Sequence, residues 1–154
     1  MPRRIFISYE GHDRDQAKGF NLLRWNTNVD LEFVGRHLLD PVDSTNSDYI
    51  TRKVKEQLHG SSVSVVLIGE HTTESEWVAK EVQWSLEKGN GILGVRLKGQ
   101  ADAEVPQTLI DCGAEIIDWA PDKFAEAIER AARAAGRAAL LARSGGSSGS
   151  ACAR

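Results

Sequence analysis

The residues best placed to do chemistry lie in Ser75-Glu76-Trp77-Val78-Ala79-Lys80-Glu81, which follows the apolar run Ser64-Val65-Val66-Leu67-Ile68-Gly69 and a short polar loop. The apolar run reads as a buried strand and the later segment as the opening of a helix. Glu81 then sits one helical turn after Trp77, just beyond the C-terminal end of a strand, where open α/β sheets bind their ligands. A carboxylate there can hold ribose hydroxyls and stabilise the positive charge that develops as a glycosidic bond loosens. Trp77 and Trp84 lie at i−4 and i+3 to Glu81, and either indole could stack on an aromatic base. The competing reading makes Glu81 a solvated helix residue and has both indoles pack against neighbouring elements.

The elements that must position these residues follow from periodicity. Residues 4–9, with Ile5, Phe6, Ile7 and Tyr9, suit a first strand. Polar residues 11–15 cap a helix running to about Asn26, and residues 31–38 form a weaker strand diluted by Gly35, Arg36 and His37. Residues 40–48 are a loop by composition, with Ser47 or Asp48 available to cap a helix over 49–58. Val65 to Ile68 are continuously apolar, as in a central parallel strand buried on both faces. The helix over 77–88 carries Val78, Val82 and Leu86 as one stripe, which assigns Trp77, Glu81 and Trp84 to another face. Gly89-Asn90-Gly91 ends it. A fourth strand over 92–97, a short helix over 106–112, a fifth strand over 115–119 and a long helix from Asp122 complete the pattern. Its strand–helix alternation predicts an α/β fold with a parallel sheet covered on both sides. Phe124, Ile128, Ala131 and Ala135 form the docking stripe of the last helix, whose solvated arginines are offset by Glu126 and Glu129. Residues 1–143 read as one domain and 144–154 as a flexible Ser/Gly-rich tail.

Composition narrows the function classes. The chain has 154 residues, 41% hydrophobic and 27% charged, with a formal net charge of -3, which gives no basic field for nucleic acid. No apolar run approaches the roughly 20 residues a membrane-spanning helix needs. Met-Pro-Arg-Arg leads straight into a strand without an apolar signal core, so a cytoplasmic protein is expected. Cys112 and Cys152 are too few for a disulfide framework, and His12, His37, His59 and His71 lack the spacing of a zinc motif, so no metal is expected. A Gly-x-Gly-x-x-Gly turn, a Gly-x-Ser-x-Gly elbow and a kinase signature are all missing, which argues against an ordinary dehydrogenase, an α/β hydrolase and a kinase.

Taken in order, Ile5-Phe6-Ile7-Ser8-Tyr9 followed by Asp13, the strand ending Val66-Leu67-Ile68-Gly69, Trp77-Val78-x-x-Glu81 and Lys88-Gly89-Asn90-Gly91-Ile92 resemble a TIR domain. Within that superfamily the chain is most similar to the TIR-like proteins of the bacterial Thoeris antiphage system, over roughly residues 4–98. The resemblance implies a flavodoxin-like, three-layer fold with a five-stranded parallel sheet. It also implies an NAD-consuming enzyme that cleaves the nicotinamide ribosyl bond, with NAD as substrate rather than cofactor. In Thoeris members the ADP-ribose is cyclised or conjugated into a signal for a separate effector, and assembly into a homo-oligomer on activation is a further expectation.

Residue by residue, Glu81 matches the family's catalytic glutamate, and Ser8, Tyr9 and Asp13 match the first-strand motif. The loop over 40–48 occupies the place of the BB loop but lacks the Arg-Asp...Pro-Gly box of animal adaptor TIR domains. Substrate contacts are accordingly expected from Ser8, Tyr9, Asp13, Ser47, Asp48, Trp77 and Trp84. Beyond Gly99 the match fades. Two other classes stay open at this point: a non-catalytic interaction module on the same sheet, and a phosphoreceiver-like domain. The latter needs an acidic cluster around a phosphorylatable aspartate, and the strand ending Ile68-Gly69 supplies none.

Overall fold

A computed structural model of the chain describes residues 3–22, 31–36 and 47–145. Strand β1 (Arg3–Ser8) is followed by a short 3-10 turn (Gly11–Asp13) and helix α1 (Arg14–Leu22). Then come β2 (Leu31–Arg36), α2 (Ser47–His59), β3 (Val63–Ile68), α3 (Glu76–Lys88), β4 (Gly91–Arg96), α4 (Gln107–Asp111), β5 (Glu115–Ile117) and α5 (Pro121–Gly145). The strands form one sheet in the order β2-β1-β3-β4-β5, and every pairing is parallel. This is the α/β architecture that the strand–helix alternation predicts. The chain reverses its direction of travel across the sheet at the β1/β3 boundary, which makes the C-terminal ends of those two strands the natural crevice.

Alternation along the strands sorts the core into two layers. Ile5, Ile7, Val63, Val65, Leu67, Leu93, Val95 and Leu97 pack with Ala17 and Phe20 of α1 and with Phe124, Ala127, Ile128 and Ala131 of α5. On the other face, Val66, Ile68 and Ile92 meet Val78, Val82 and Leu109, while Phe6 meets Val54 and Leu58 of α2. Every residue of β3 is buried, as its continuous apolar run requires of a strand covered on both faces. Full burial of side chains such as Val78 and Val82 is worth about 1.5–3 kcal/mol each, so α3 is held to the sheet mainly by its apolar stripe.

Several boundaries differ from expectation. Helix α2 begins at Ser47, so Ser47 and Asp48 stand in its first turn rather than ahead of it. Asp48 suits that place by opposing the positive end of the helix dipole. Helix α5 reaches Gly145, two residues into the expected tail. Residues 146–154 lie outside the described residues, as do 37–46, which include most of the expected loop over 40–48. Among the described residues no helix is long and apolar enough to cross a membrane.

Candidate functional site

Both ends of α3 are fixed locally. The Ser75 hydroxyl accepts from the Val78 backbone N–H at 3.1 Å, capping the N-terminus. At the C-terminus Gly89 adopts φ 90, ψ 18, a left-handed conformation that glycine enters without steric cost, and its N–H bonds back to Ser85 and Leu86. Between these caps the buried residues are Val78, Glu81, Val82 and Ser85. Glu81 therefore belongs to the sheet-facing stripe, not to a separate face with Trp77 and Trp84 as periodicity suggests. The apolar stripe is interrupted by two polar residues, and a hydropathy pattern assigns such residues to solvent by default.

The Glu81 side chain has 0% relative exposure. Ser8, at the end of β1, donates from its hydroxyl to Glu81 Oε1 at 2.6 Å, a short charge-assisted hydrogen bond between two buried groups. Below this pair runs a buried polar seam. The Ser85 hydroxyl donates to the Glu81 backbone carbonyl at 2.7 Å and lies 2.7 Å from the Ser64 hydroxyl on β3. Asn90 Nδ2 donates to Ser64 Oγ at 3.3 Å and to Ser61 Oγ at 2.9 Å, and Lys88 Nζ donates to Asn90 Oδ1 at 2.9 Å. The Lys88 ammonium is held below its ordinary pKa by burial. Sequence reasoning missed Ser61, Ser64, Ser85 and Asn90. The available signal was a serine four residues after Glu81 on the same helical stripe.

A second polar group sits at the same end of the sheet. Asp13 is 9% exposed and lies so close over Gly69 that a Cβ there would fall 2.5 Å from Asp13 Oδ2. That oxygen has no hydrogen-bond partner among the described residues. Burial, and then the neighbouring Glu10 charge, raise the Asp13 pKa above the ordinary aspartate value. Gly69 is three residues past Val66, which pairs with Ser8, so the Asp13 carboxyl stands roughly 10 Å along the strand direction from the Ser8–Glu81 pair. On the rim His12 and His71 lie with ring centroids 4.4 Å apart and planes tilted by 36°. His12 Nδ1 is 2.8 Å from Glu10 and His71 Nδ1 is 3.2 Å from Glu74, and the Glu74 hydrogen bond raises the His71 pKa.

The remaining expected site residues divide. Tyr9 is 2% exposed within the α1/α5 core layer. Trp84 is packed against the Phe6–Val54–Leu58 cluster, with Lys55 Nζ 5.3 Å from its ring centroid. Trp77 lies 6.2 Å from Trp84 and carries Lys80 Nζ at 4.7 Å, so each indole already has a cation over one face. Asp48 is exposed on α2, and the Ser47 side chain lies outside the described residues. The structure thus brings Ser8 and Glu81 into contact, with Asp13 at the same end of the sheet. It places Tyr9 in the core and Trp84 against α2.

Two comparisons bear on this arrangement. Residues 6–102 match the family model described as Thoeris protein ThsB, TIR-like domain. The Bacillus cereus (strain MSX-D12) protein named "Putative cyclic ADP-D-ribose synthase ThsB1" is 30% identical over 107 residues, covering 66% of this chain and 55% of that relative. The chain therefore spans about half the length of the relative it matches. Since the matched residues 6–102 make up more than half of the 154, and carry the C-terminal half of β1, all of β3 and α3 and the Ser8–Glu81 pair, the chain belongs to the TIR-like domain family of the Thoeris protein ThsB.

Proposed function

We propose that this protein cleaves the nicotinamide ribosyl bond of NAD and releases an ADP-ribose-derived signalling nucleotide, open or cyclic, for a separate antiphage effector. The observation that carries the reading is the Glu81 carboxylate on α3, bonded by Ser8 at the C-terminal end of β1 at 2.6 Å in a parallel sheet of this family. The ring nitrogen of nicotinamide is positively charged in NAD. It leaves with the electron pair of the glycosidic bond as a neutral base, and the positive charge passes to the ribose. What the protein must supply is orientation and a fixed negative charge near that sugar. Glu81, held by Ser8, fits both roles, and Asp13 offers a carboxyl oxygen that can accept from a substrate hydroxyl. Attack by water gives ADP-ribose, whereas attack by the nucleotide's own hydroxyl or base nitrogen gives a cyclic product. The name of the Bacillus cereus relative supports the second course.

The complete burial of Glu81 favours one alternative, a non-catalytic assembly module in which the carboxylate only ties α3 to β1. On the enzymatic reading the crevice must open to admit NAD, so basal turnover is low and rises on activation, through assembly of a homo-oligomer. Incubating the purified protein with NAD at low and high protein concentration, with products identified by mass, separates the two. Nicotinamide release with an ADP-ribose-derived product, lost in Glu81→Gln, supports the enzyme. No turnover at any concentration leaves the assembly module. Adding the small-molecule filtrate of triggered cells to the candidate effector then tests the signalling step, and an inert filtrate removes it.

A further inference from the structure

At the opposite end of the sheet from the Ser8–Glu81 pair, α5 and the N-terminal ends of β4 and β5 enclose a cavity of about 450 Å³. Its floor is built from small residues: Gly91, Gly113 and Ala114 from the strand entries, Ala131, Ala134 and Ala135 from the helix. The helix comes so close at Gly91 that a Cβ there would lie 2.4 Å from the Ala131 carbonyl oxygen. Three guanidiniums, Arg130, Arg133 and Arg137, line the cavity along one side of α5, spaced over two turns of helix. Arg130 is engaged by Glu115, donating from Nε at 3.0 Å and from Nη2 at 2.8 Å. Arg133 and Arg137 make no ion pair among the described residues, and the cavity's balance is three positive charges against one negative.

We propose that this cavity is a binding site for a small phosphate-bearing molecule of the nucleotide class, with its phosphates held by Arg133 and Arg137. Guanidiniums one turn apart present parallel N–H forks that match phosphate oxygens. Ile92 and the alanines offer an apolar wall for a flat base, and the volume lies within the range of small-ligand pockets. A long polyanion is disfavoured because the whole chain carries a net charge of -3, so attraction is confined to the cavity. The site also touches the interior: Asn90 lines the cavity and bonds to Ser61 and Ser64, at the start of the seam that ends on the Glu81 backbone carbonyl.

The test is calorimetric titration of the purified chain with pyrophosphate, ADP and a single-stranded oligonucleotide, in the parent, in Glu81→Gln and in Arg133→Ala/Arg137→Ala. Both arginines are exposed, so the double variant should match the parent's unliganded melting temperature and its basal NAD turnover. Saturable binding of pyrophosphate and ADP is expected, tighter for ADP and weaker in high salt. It should be retained in Glu81→Gln and weakened about a hundredfold in the double variant, roughly tenfold for each charge-assisted hydrogen bond removed. Loss in the double variant together with retention in Glu81→Gln places the binding in this cavity and not at the NAD site, so the result stands whether or not NAD is cleaved. Absence of binding, binding indifferent to the two arginines, tighter binding of the oligonucleotide, or a change only in self-association would each overturn the assignment.

Discussion

Ser8→Ala and Glu81→Gln should separate what the Ser8–Glu81 bond does for the fold from what it does for chemistry. Ser8→Ala removes the hydroxyl that donates to Glu81 Oε1 at 2.6 Å and leaves a carboxylate with 0% exposure one donor short. Losing a hydrogen bond to a buried charged group costs about 1.5–3 kcal/mol, and about 2 kcal/mol is the expectation here. For a chain of this size 1 kcal/mol moves the melting temperature by about 2–4 °C, so a drop of roughly 6 °C should be read by calorimetry. Glu81→Gln keeps an oxygen for Ser8 to donate to and no longer requires a charge to be buried. Its stability should therefore change by less than about 1 kcal/mol, while NAD turnover falls by roughly a hundredfold or more. The order of effects is the informative part, since Ser8→Ala is the worse variant for stability and Glu81→Gln the worse for activity. If Ser8→Ala melts within about 1 °C of the parent, the bond contributes nothing to the fold and the argument from charge assistance is wrong. If Glu81→Gln turns over NAD like the parent, Glu81 leaves the mechanism.

The glycines give a graded series. Gly91→Ala drives a Cβ into the Ala131 backbone and should cost about 3 kcal/mol, whereas Gly94→Ala meets only the tips of Ile116, Ile68 and Leu109, which can rotate, and should cost less. Gly89→Ala forces a left-handed residue at the α3 C-cap for about 1 kcal/mol, and denaturant titration ranks all three. Burial and the Glu10 charge raise the Asp13 pKa, so the stability tied to its neutral form is present below the unfolded-state pKa and is lost as pH rises through the folded one. Asp13→Asn should gain stability relative to the parent as pH rises out of the carboxylate range, and parallel curves for the two proteins would refute this. Replacing Ser64 and Ser85 together with alanine removes both members of a bonded pair and leaves Asn90 its bond to Ser61, so the melting temperature should move by less than about 3 °C while NAD turnover falls several-fold.

The fold is legible in the sequence where one signal dominates. The continuous apolar run of β3 and the Gly89-Asn90-Gly91 stop each leave a local trace, and the structure puts a buried strand and a helix end there. Pattern alone draws β5 and α4 too long, because short elements at a sheet edge carry too few residues to establish a period. Ser47 and Asp48 look like caps, and the helix simply begins with them.

The candidate site is legible as a residue but not as an environment. Periodicity turns Glu81 outward because a charged residue between Val78 and Val82 reads as the polar edge of an amphipathic helix. In the fold it turns inward because the sheet offers it a partner: Ser8 takes a face position of β1 where an apolar residue would serve packing better, and Ser64 does the same on β3 opposite Ser85. Apolar stripes alone tolerate small slides of a helix along a sheet, since their attraction has no direction. A chain of directed bonds from Asn90 through Ser64 and Ser85 admits one axial position of α3, and that position sets the Glu81 carboxylate against the end of β1. Each serine is ordinary in sequence. Their meaning lies in pairings between positions 21 and 73 residues apart, which a reading of local pattern does not reach.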